Sequence, residues 1–327
     1  MYSYIDMHCD TLLRSLKCSY ESIYAGDGML DINRMKQAGQ MGQFFAIFFP
    51  PENEKELMTD KAGILLTDDA YFKEMRKNLL LAVETHQDDI AMVYSYIDIV
   101  KNEHNGKMSA ILSVEDGRMV HGDMNRLAFL EEQGVRAITL TWNYENCFGY
   151  PNSFDEKIMD KGLKPFGKDA IIYMNEHGIL VDVSHLSDQG FMDVAEISKK
   201  PFIASHSNCR EISPHSRNLT DHMIRVLAEH GGVSGLNFAP DFLNRDINDK
   251  NSTIKMLAEH VLHFINVGGE DCVGLGTDFD GIEGNFEIGE STKMHLLFRQ
   301  LKKKGITERQ LDKFTKGNVL RVIKEVL

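Results

Sequence analysis

Histidine and carboxylate side chains recur at the ends of short apolar segments in this chain. The six residues are His8, Asp10, Glu115, His185, His206 and Asp278. Because strand side chains alternate between two faces, His8 and Asp10 point the same way in a strand and Cys9 points away. Imidazole and carboxylate groups together suit zinc and similar divalent ions. Six groups are too many for one tetrahedral catalytic ion with an open position, but they suffice for two ions about 3.5–4 Å apart that Glu115 bridges.

Each of these residues, taken alone, also has a structural interpretation. A histidine at a strand end is commonly a hydrogen-bonded core residue. Glu115 is compatible with capping the next helix or pairing with Arg118, and Asp278 with an N-cap. Taken together, several carboxylates at one buried rim are costly unless a cation compensates them. The set therefore predicts a metal site.

Eight apolar segments alternate with segments of helical period, which predicts an α/β fold with a parallel sheet. The predicted strands are residues 4–8, 43–49, 108–115, 135–142, 179–185, 201–206, 232–238 and 272–278. The clearest predicted helices are 69–84, 169–177, 222–229 and 252–267. Eight repeats close a TIM-like (β/α)8 barrel, whose active site lies at the C-terminal ends of the strands. Segment 43–49 is also compatible with a buried helix, and 91–94 is a candidate ninth strand.

The long loops that follow these strands are candidates for the walls of a site. They are residues 143–164, 207–219 and 239–250, and long loops in a compact domain are usually functional. Neither a linker nor a low-complexity tract divides the chain, so residues 1–327 are predicted to form a single domain.

Composition limits the classes of partner. With 36 basic and 49 acidic residues, the formal net charge of −13 argues against nucleic acid and against an anionic membrane surface. Five scattered cysteines without a CxxC pair indicate reduced thiols. Neither a signal peptide nor an apolar run of about 20 residues is evident, so we expect a cytoplasmic protein without a membrane anchor.

Ordered motifs along the whole sequence carry a family resemblance. They are DMHCD at residues 6–10, SVEDG at 113–117, GLKPFG at 162–167, VDVSH at 181–185, ASHSN at 204–208, SRN at 216–218, GTDFDG at 276–281 and GNVLRV at 317–322. At these residues the chain resembles the membrane dipeptidase (renal dipeptidase) family of zinc peptidases, family M19. The resemblance implies a TIM-like barrel, a homodimer and short peptide substrates, often with a D-residue at the C-terminal position.

Carried over residue by residue, the resemblance implies a site for two divalent ions, which are zinc in the family. His8 and Asp10 would bind one ion, Glu115 would bridge the two, and His185 with His206 would bind the second.

The same resemblance implies roles for residues outside the metal ligands. Arg217 matches the arginine that holds the substrate's terminal carboxylate, and Asp278 matches the aspartate next to the metal-bound water. Asn218 lies in the same motif as Arg217 and is predicted to contact the substrate. Trp142 stands where known members carry a histidine that contacts the substrate carbonyl, and it is predicted to form one wall of the substrate pocket.

The sequence thus predicts a binuclear zinc dipeptidase that uses Asp278 as general base and then general acid. An alternative is another metal-dependent amidohydrolase on the same barrel, acting on a cyclic amide, an ester or a phosphoester, because fold alone does not fix function. A third interpretation, suggested by Trp142, is a metal-binding protein without catalytic activity.

Overall fold

The computed structural model describes residues 2–327 and contains a closed parallel barrel. Its strands are β1 (Tyr4–Asp6), β2 (Gln40–Phe48), β3 (Ile90–Met92), β4 (Met108–Glu115), β5 (Val135–Thr139), β6 (Leu180–Asp182), β7 (Ile203–Ala204), β8 (Val233–Leu236), β9 (Asn251–Ser252), β10 (Val273–Leu275) and β11 (Asn285–Phe286). Eight of them follow one another around the barrel in the order β1-β2-β4-β5-β6-β7-β8-β10. All eight predicted strands are therefore confirmed, including 43–49, of which all but residue 49 lies in β2.

Two pairings close the barrel. β1 pairs with β10 at Asp6 and Leu275, and β2 runs beside β4 from Gly42↔Ser109 to Phe48↔Glu115. The short strand β3 pairs with the start of β4 and confirms the candidate ninth strand, outside the eight-stranded circuit. Strands β9 and β11 form a separate two-stranded sheet, which the sequence analysis did not predict.

Helices surround the barrel. They are α1 (Thr11–Lys17), α2 (Glu21–Tyr24), α3 (Ile32–Ala38), α4 (Asp68–Thr85), α5 (Tyr96–His104), α6 (Met124–Glu132), α7 (Glu156–Met159), α8 (Pro165–Glu176), α9 (Asp188–Ile197), α10 (Asp221–Glu229), α11 (Pro240–Leu243), α12 (Ile254–Gly268), α13 (His295–Lys303), α14 (Glu308–Asp312) and α15 (Asn318–Val326). Shorter 3-10 segments span Glu52–Met58, Gly117–Val120 and Ser291–Lys293, and a π-helical turn spans Lys313–Gly317. The four helices predicted from periodicity correspond to α4, α8, α10 and α12.

Local caps explain where several helices begin. The Thr67 hydroxyl accepts a hydrogen bond from the Ala70 amide at the start of α4, and Ser187 does the same for α9 through Gly190. Such caps satisfy amide groups that the first turn of a helix leaves unpaired.

The apolar core has two parts. The larger part lies between the strands and the surrounding helices. The smaller part fills the barrel interior below the site, where Ile5, Phe44 and Ile111 from the strands meet Val322 and Ile323 of α15. Helix α15 therefore plugs the end of the barrel opposite the strand C-termini, and β2 is buried along its whole length because both of its faces are covered.

The five cysteines are free, in agreement with the predicted reduced thiols. Within residues 2–327, no helix combines the length and the apolar character that a membrane crossing requires.

Candidate active site

The six predicted groups converge at the C-terminal ends of the barrel strands. His8 follows β1, and its Nε2 lies 3.5 Å from Asp10 Oδ2 and 3.5 Å from Glu115 Oε2. Cys9 points away from this site, as the strand alternation predicts, and donates its S–H to the Phe44 carbonyl. His8, Asp10 and Glu115 thus form one buried group with the geometry of a metal site.

Glu115 belongs to a second group as well. Its Oε1 lies 3.1 Å from His185 Nε2 and 3.5 Å from His206 Nε2. The two oxygens of one carboxylate therefore face two different sets of ligands, which is the arrangement that a bridging carboxylate needs. Asp278 adds a third grouping with His8 and His206, and its Oδ1 lies 3.9 Å from His8 Nε2.

The structural alternatives for single residues do not match these contacts. Arg118 pairs with Asp68 at 3.2 Å rather than with Glu115. Asp278 precedes no helix and therefore caps none.

A chain of hydrogen bonds orients the ring of His206. Ser205 Oγ donates to Asp182 Oδ2 at 2.5 Å, so its oxygen is left to accept the proton of His206 Nδ1 at 2.7 Å. Asp182 also accepts hydrogen bonds from the Thr139 hydroxyl and from the Ser184 and Ser205 amides. This Asp182–Ser205–His206 relay fixes the tautomer in which Nε2 carries a lone pair, as ligand histidines require.

Asn143 orients the ring of His185 in the same way. Its Oδ1 lies 2.9 Å from His185 Nδ1, which makes that nitrogen the protonated one. The unprotonated Nε2 atoms of His185 and His206 then lie 3.0 Å apart, and neither can donate to the other. Two lone pairs at this separation fit a shared cation.

The electrostatics of the site also fit cations. Among the described residues, the buried His8 Nε2 and Asp10 Oδ1 have no hydrogen-bond partner. Burial raises the pKa of Glu115 to about 7, against the lowering effect of His8. Burial disfavours the charged form of His8 as well, but Glu115 and Asp10 raise its pKa above the usual 6.5. Buried carboxylates without enough positive charge are expensive, and divalent ions would supply that charge.

His185 and Asp278 have left-handed backbone conformations, with φ of 68° and 63°. Positive φ is uncommon for residues other than glycine and costs roughly 1–3 kcal/mol when the surroundings impose it. The positive φ turns the chain three residues after the end of β6 and three residues after the end of β10. Both side chains are thereby brought to the ligand groups. Glycines at 235 and 276 allow a further close approach, since a Cβ at either position would lie 1.8 Å from the Ser205 carbonyl oxygen.

The Asp278 carboxylate is held by a neutral donor. Asn237 Nδ2 donates to its Oδ2 at 2.8 Å. Burial raises the pKa of Asp278 to about 6, and the charge of His8 opposes that rise. One oxygen is thus fixed, while the other faces the cavity next to the metal ligands.

A cavity of about 490 Å³ opens above these groups and is lined by Asp10, Glu115, His185, His206 and Asp278. Trp142 lies in its wall, with its ring 4.9 Å from the Phe48 ring and 6.0 Å from the His185 ring. Asn143, the next residue, also lines the cavity.

Arg217 lies beside the metal ligands but beneath the cavity wall. Its Nη1 donates to Ser207 Oγ at 3.0 Å and its Nη2 to the His206 carbonyl at 3.1 Å, while the Phe242 ring covers the guanidinium at 5.3 Å. Its buried Nε has no partner in the described part of the chain. Asn218 uses its amide nitrogen on the Ser213 and Phe242 carbonyls, so its side chain holds the loop rather than facing the cavity.

Comparison with known proteins identifies the family. The model of the membrane dipeptidase family, peptidase family M19, matches residues 2–327. The chain belongs to family M19.

Individual M19 relatives agree with this assignment. An uncharacterised dipeptidase of Schizosaccharomyces pombe is 33% identical over 302 residues, which cover 90% of this chain and 71% of the relative. The crystal structure of an M19 metallopeptidase, dipeptidase AC, superposes with a TM-score of 0.89 at 29% identity and covers 99% of this chain and 98% of its own. A metallopeptidase of Rhodobacter sphaeroides, solved with a phosphinate mimic of the dipeptide L-Ala-D-Ala, superposes with a TM-score of 0.88 at 29% identity and 99% coverage of both chains.

M19 membership makes the chain a dipeptide-hydrolysing metallopeptidase, and the family implies a divalent metal cofactor.

The six converging groups were predictable from the sequence, but the residues that orient them were not predicted, namely Asn143, Asp182, Ser205 and Asn237. Asp182 had a signal, because a carboxylate inside a buried strand needs several donors. Asn143 and Asn237 had none, since their partners are 42 and 41 residues away.

Proposed function

We propose that this M19 enzyme is a binuclear zinc dipeptidase. The observation that carries the proposal is the position of Glu115, whose two carboxylate oxygens face separate ligand groups. His8 and Asp10 would hold one ion with Glu115, and His185 and His206 would hold the other. Nitrogen and oxygen ligands of this kind suit zinc.

When bound, two divalent ions supply Lewis-acid polarisation of a carbonyl oxygen and acidification of water at neutral pH. The chain's own residues supply orientation and proton transfer. Asp278 would accept the proton of the attacking water and deliver it to the leaving amine, since its Oδ1 faces the cavity while Asn237 holds its Oδ2.

The substrate's C-terminal carboxylate would be attracted to the Arg217 side of the cavity. The guanidinium is buried beside the end of β7, where its charge is poorly screened. A fixed position for this carboxylate would place the scissile carbonyl over the ligand groups and favour dipeptides over longer chains. The L-Ala-D-Ala mimic bound to the Rhodobacter sphaeroides relative supports a D-residue at the C-terminal position.

Metal analysis tests the proposal directly. Wild-type protein loaded with zinc and freed of excess should retain two equivalents. Because His8 and His185 are each assigned to one of the two ions, His8→Ala and His185→Ala should each retain about one equivalent, and Glu115→Gln should lose affinity for both ions. A single equivalent in the wild type would contradict the binuclear site.

An activity panel separates the dipeptidase from the other amidohydrolases on this barrel. Dipeptides with L- and D-alanine at the C-terminal position would be assayed beside a lactone and a phosphotriester. We expect turnover of dipeptides, fastest with D-alanine. Preferred turnover of the lactone or the phosphotriester would show that the substrate assignment is wrong.

A further inference from the structure

The walls of the active-site cavity are unevenly charged. Among its lining residues there are seven carboxylates and neither a lysine nor an arginine. Three of the seven, Asp10, Glu115 and Asp278, belong to the metal-ligand groups. Bound cations would compensate the charge of these three. The other four carboxylates are therefore the ones whose charge could act on a substrate.

Two of the remaining carboxylates are neutralised by the protein. Asp280 accepts hydrogen bonds from Arg14 at 3.0 Å and from the Thr11 hydroxyl at 2.6 Å. Asp241 is paired with Lys250.

Glu54 and Glu283 differ from these two. Neither side chain has an ion pair or a hydrogen bond to another residue of the described chain, and both line the cavity. Glu54 is half-buried in the 3-10 segment Glu52–Met58, and Glu283 is exposed in the segment after β10. They are therefore two carboxylates available to a ligand.

The two carboxylates follow the two neighbours of β1, and Glu283 is midway around the barrel between Glu54 and the Arg217 side. Glu54 follows β2 and Glu283 follows β10, and these two strands flank β1. The buried Arg217 lies at the end of β7. Three strands separate β7 from β2 in either direction around the barrel, so the arginine and Glu54 belong to opposite sides of the opening.

Apolar side chains line the cavity on the Glu54 side as well. Leu13 from α1, Leu57 from the Glu54 segment and Ile282 beside Glu283 all belong to its wall. An aliphatic surface that ends in unpaired carboxylates suits a side chain with a long methylene stem and a cationic head, because such side chains bury the stem and keep the head in contact with charge or water.

We propose that the enzyme prefers dipeptides whose N-terminal residue is lysine or arginine, with Glu54 and Glu283 as the specificity-determining residues. The inference rests on the proposed dipeptidase function. A dipeptide with its carboxylate towards Arg217 and its scissile carbonyl over the metal ligands directs its N-terminal residue towards β2 and the adjacent β1, with the Glu283 segment after β10 at one flank. The side chain then follows Leu13, Leu57 and Ile282, and its cation reaches the two free carboxylates.

A substrate series with one changed side chain tests this preference. The kcat/KM values of Lys-D-Ala and Arg-D-Ala would be compared with norleucine-D-Ala, which has a similar stem without charge, and with Glu-D-Ala. We expect the kcat/KM values of Lys-D-Ala and Arg-D-Ala to exceed that of norleucine-D-Ala by about fivefold at low salt, because a partly exposed ion pair contributes a free energy of this size. The kcat/KM value of Glu-D-Ala should fall below that of norleucine-D-Ala. A concentration of 0.5 M NaCl should reduce the ratio of the kcat/KM values of Lys-D-Ala and norleucine-D-Ala, because these charges are accessible to solvent.

Variants of Glu54 and Glu283 test whether these two carboxylates cause the preference for a cationic side chain. Glu54→Gln combined with Glu283→Gln should bring the lysine-to-norleucine ratio close to one, and Glu54→Lys with Glu283→Lys should make Glu-D-Ala the better substrate. Glu56→Gln is the matched control, since Glu56 is an exposed carboxylate of the same segment that does not line the cavity. It should keep the wild-type ratio.

The outcomes distinguish this inference from the proposed function. Hydrolysis of norleucine-D-Ala as fast as Lys-D-Ala by the wild type, or an unchanged ratio in the double glutamine variant, would overturn the inference and leave the dipeptidase intact. Failure to hydrolyse any dipeptide of the series would overturn both.

Discussion

At the residue scale, Asp278 is the side chain to which we assign proton transfer. Replacing it by asparagine keeps the shape and an oxygen that can accept from Asn237, but removes the base. We therefore expect Asp278→Asn to lower kcat by about 10²–10⁴-fold, with zinc content near that of the wild type. Steady-state assays and metal analysis on the same preparation would check this. Full activity in the variant would show that the base lies elsewhere.

The Asp182–Ser205–His206 relay gives a second prediction. Removing the Ser205 hydroxyl leaves His206 Nδ1 without its acceptor, so the ring loses its fixed orientation. We expect Ser205→Ala to weaken zinc affinity by roughly 10–100-fold, as measured by competition with a chelator. Ser113→Ala is the control, because this hydroxyl on β4 is also buried but has no partner in residues 2–327. Equal affinities in the two variants would contradict the relay.

At the element scale, the sequence was sufficient to place the strands and the groups at their ends. Apolar runs between helical segments located every barrel strand, because burial on both faces leaves a continuous hydrophobic signal in a parallel sheet. Strands β6 and β10 are shorter than the predicted runs 179–185 and 272–278, since the chain leaves β geometry before His185 and Asp278, where φ becomes positive. No local pattern encodes such a turn in a histidine or an aspartate, so its position could not be predicted.

The loops were predictable only in outline. The sequence predicts long loops at residues 143–164 and 239–250, and in the structure they contain the short helices α7 and α11. Short helices of this kind depend on tertiary packing rather than on periodicity. Arg217 was placed on a loop by sequence, yet its stacking under Phe242 joins two loops and has no signature in either one.

Helix α12 links two of these loops through His260. The Cys209 amide donates to His260 Nδ1, and the Nε2 atom lies 3.0 Å from the Leu243 carbonyl, so the loops after β7 and β8 are both tied to one buried ring. Burial lowers the pKa of His260 to about 4. Stability that depends on the neutral ring is fully present above pH 6.5 and is lost as the pH falls towards 4, because only the unfolded chain binds the proton in that range.

Replacing His260 by glutamine tests this link. The variant should be less stable than the wild type at pH 7, because its side chain does not reproduce the ring. The difference in the free energy of unfolding should narrow by about 2 kcal/mol between pH 6.5 and pH 5, since only the wild type loses stability through this group. Urea unfolding of metal-free protein at both pH values would measure it. A constant difference would mean that His260 does not titrate as described.

At the scale of the whole molecule, stability and chemistry are assigned to opposite ends of the barrel. The site occupies the C-terminal ends of the strands, and α15 closes the other end with Val319, Val322, Ile323 and Val326. Mutations at the plug should therefore change stability without changing the site.

Substitution of Ile323 tests whether the plug affects stability alone. Ile323 is fully buried in the plug, so Ile323→Ala should lower the free energy of unfolding by about 2–5 kcal/mol. Zinc stoichiometry and kcat at 25 °C should stay near wild type. The exposed neighbour Glu325→Ala is the control and should change stability by less than about 1 kcal/mol. A loss of metal in the Ile323 variant would show that the two ends are coupled.

The pairing of β1 with β10 joins Asp6 to Leu275, about 270 residues further along the chain. During synthesis at about 5–20 residues per second, the free edge of β1 waits on the order of tens of seconds for its neighbour. His8 also acquires its distant neighbour Asp278 only when the segment after β10 emerges from the ribosome. An unpaired strand edge is a template for association with other chains, so the same contact that completes the barrel leaves the edge of β1 open to such association until the β10 segment has been synthesised.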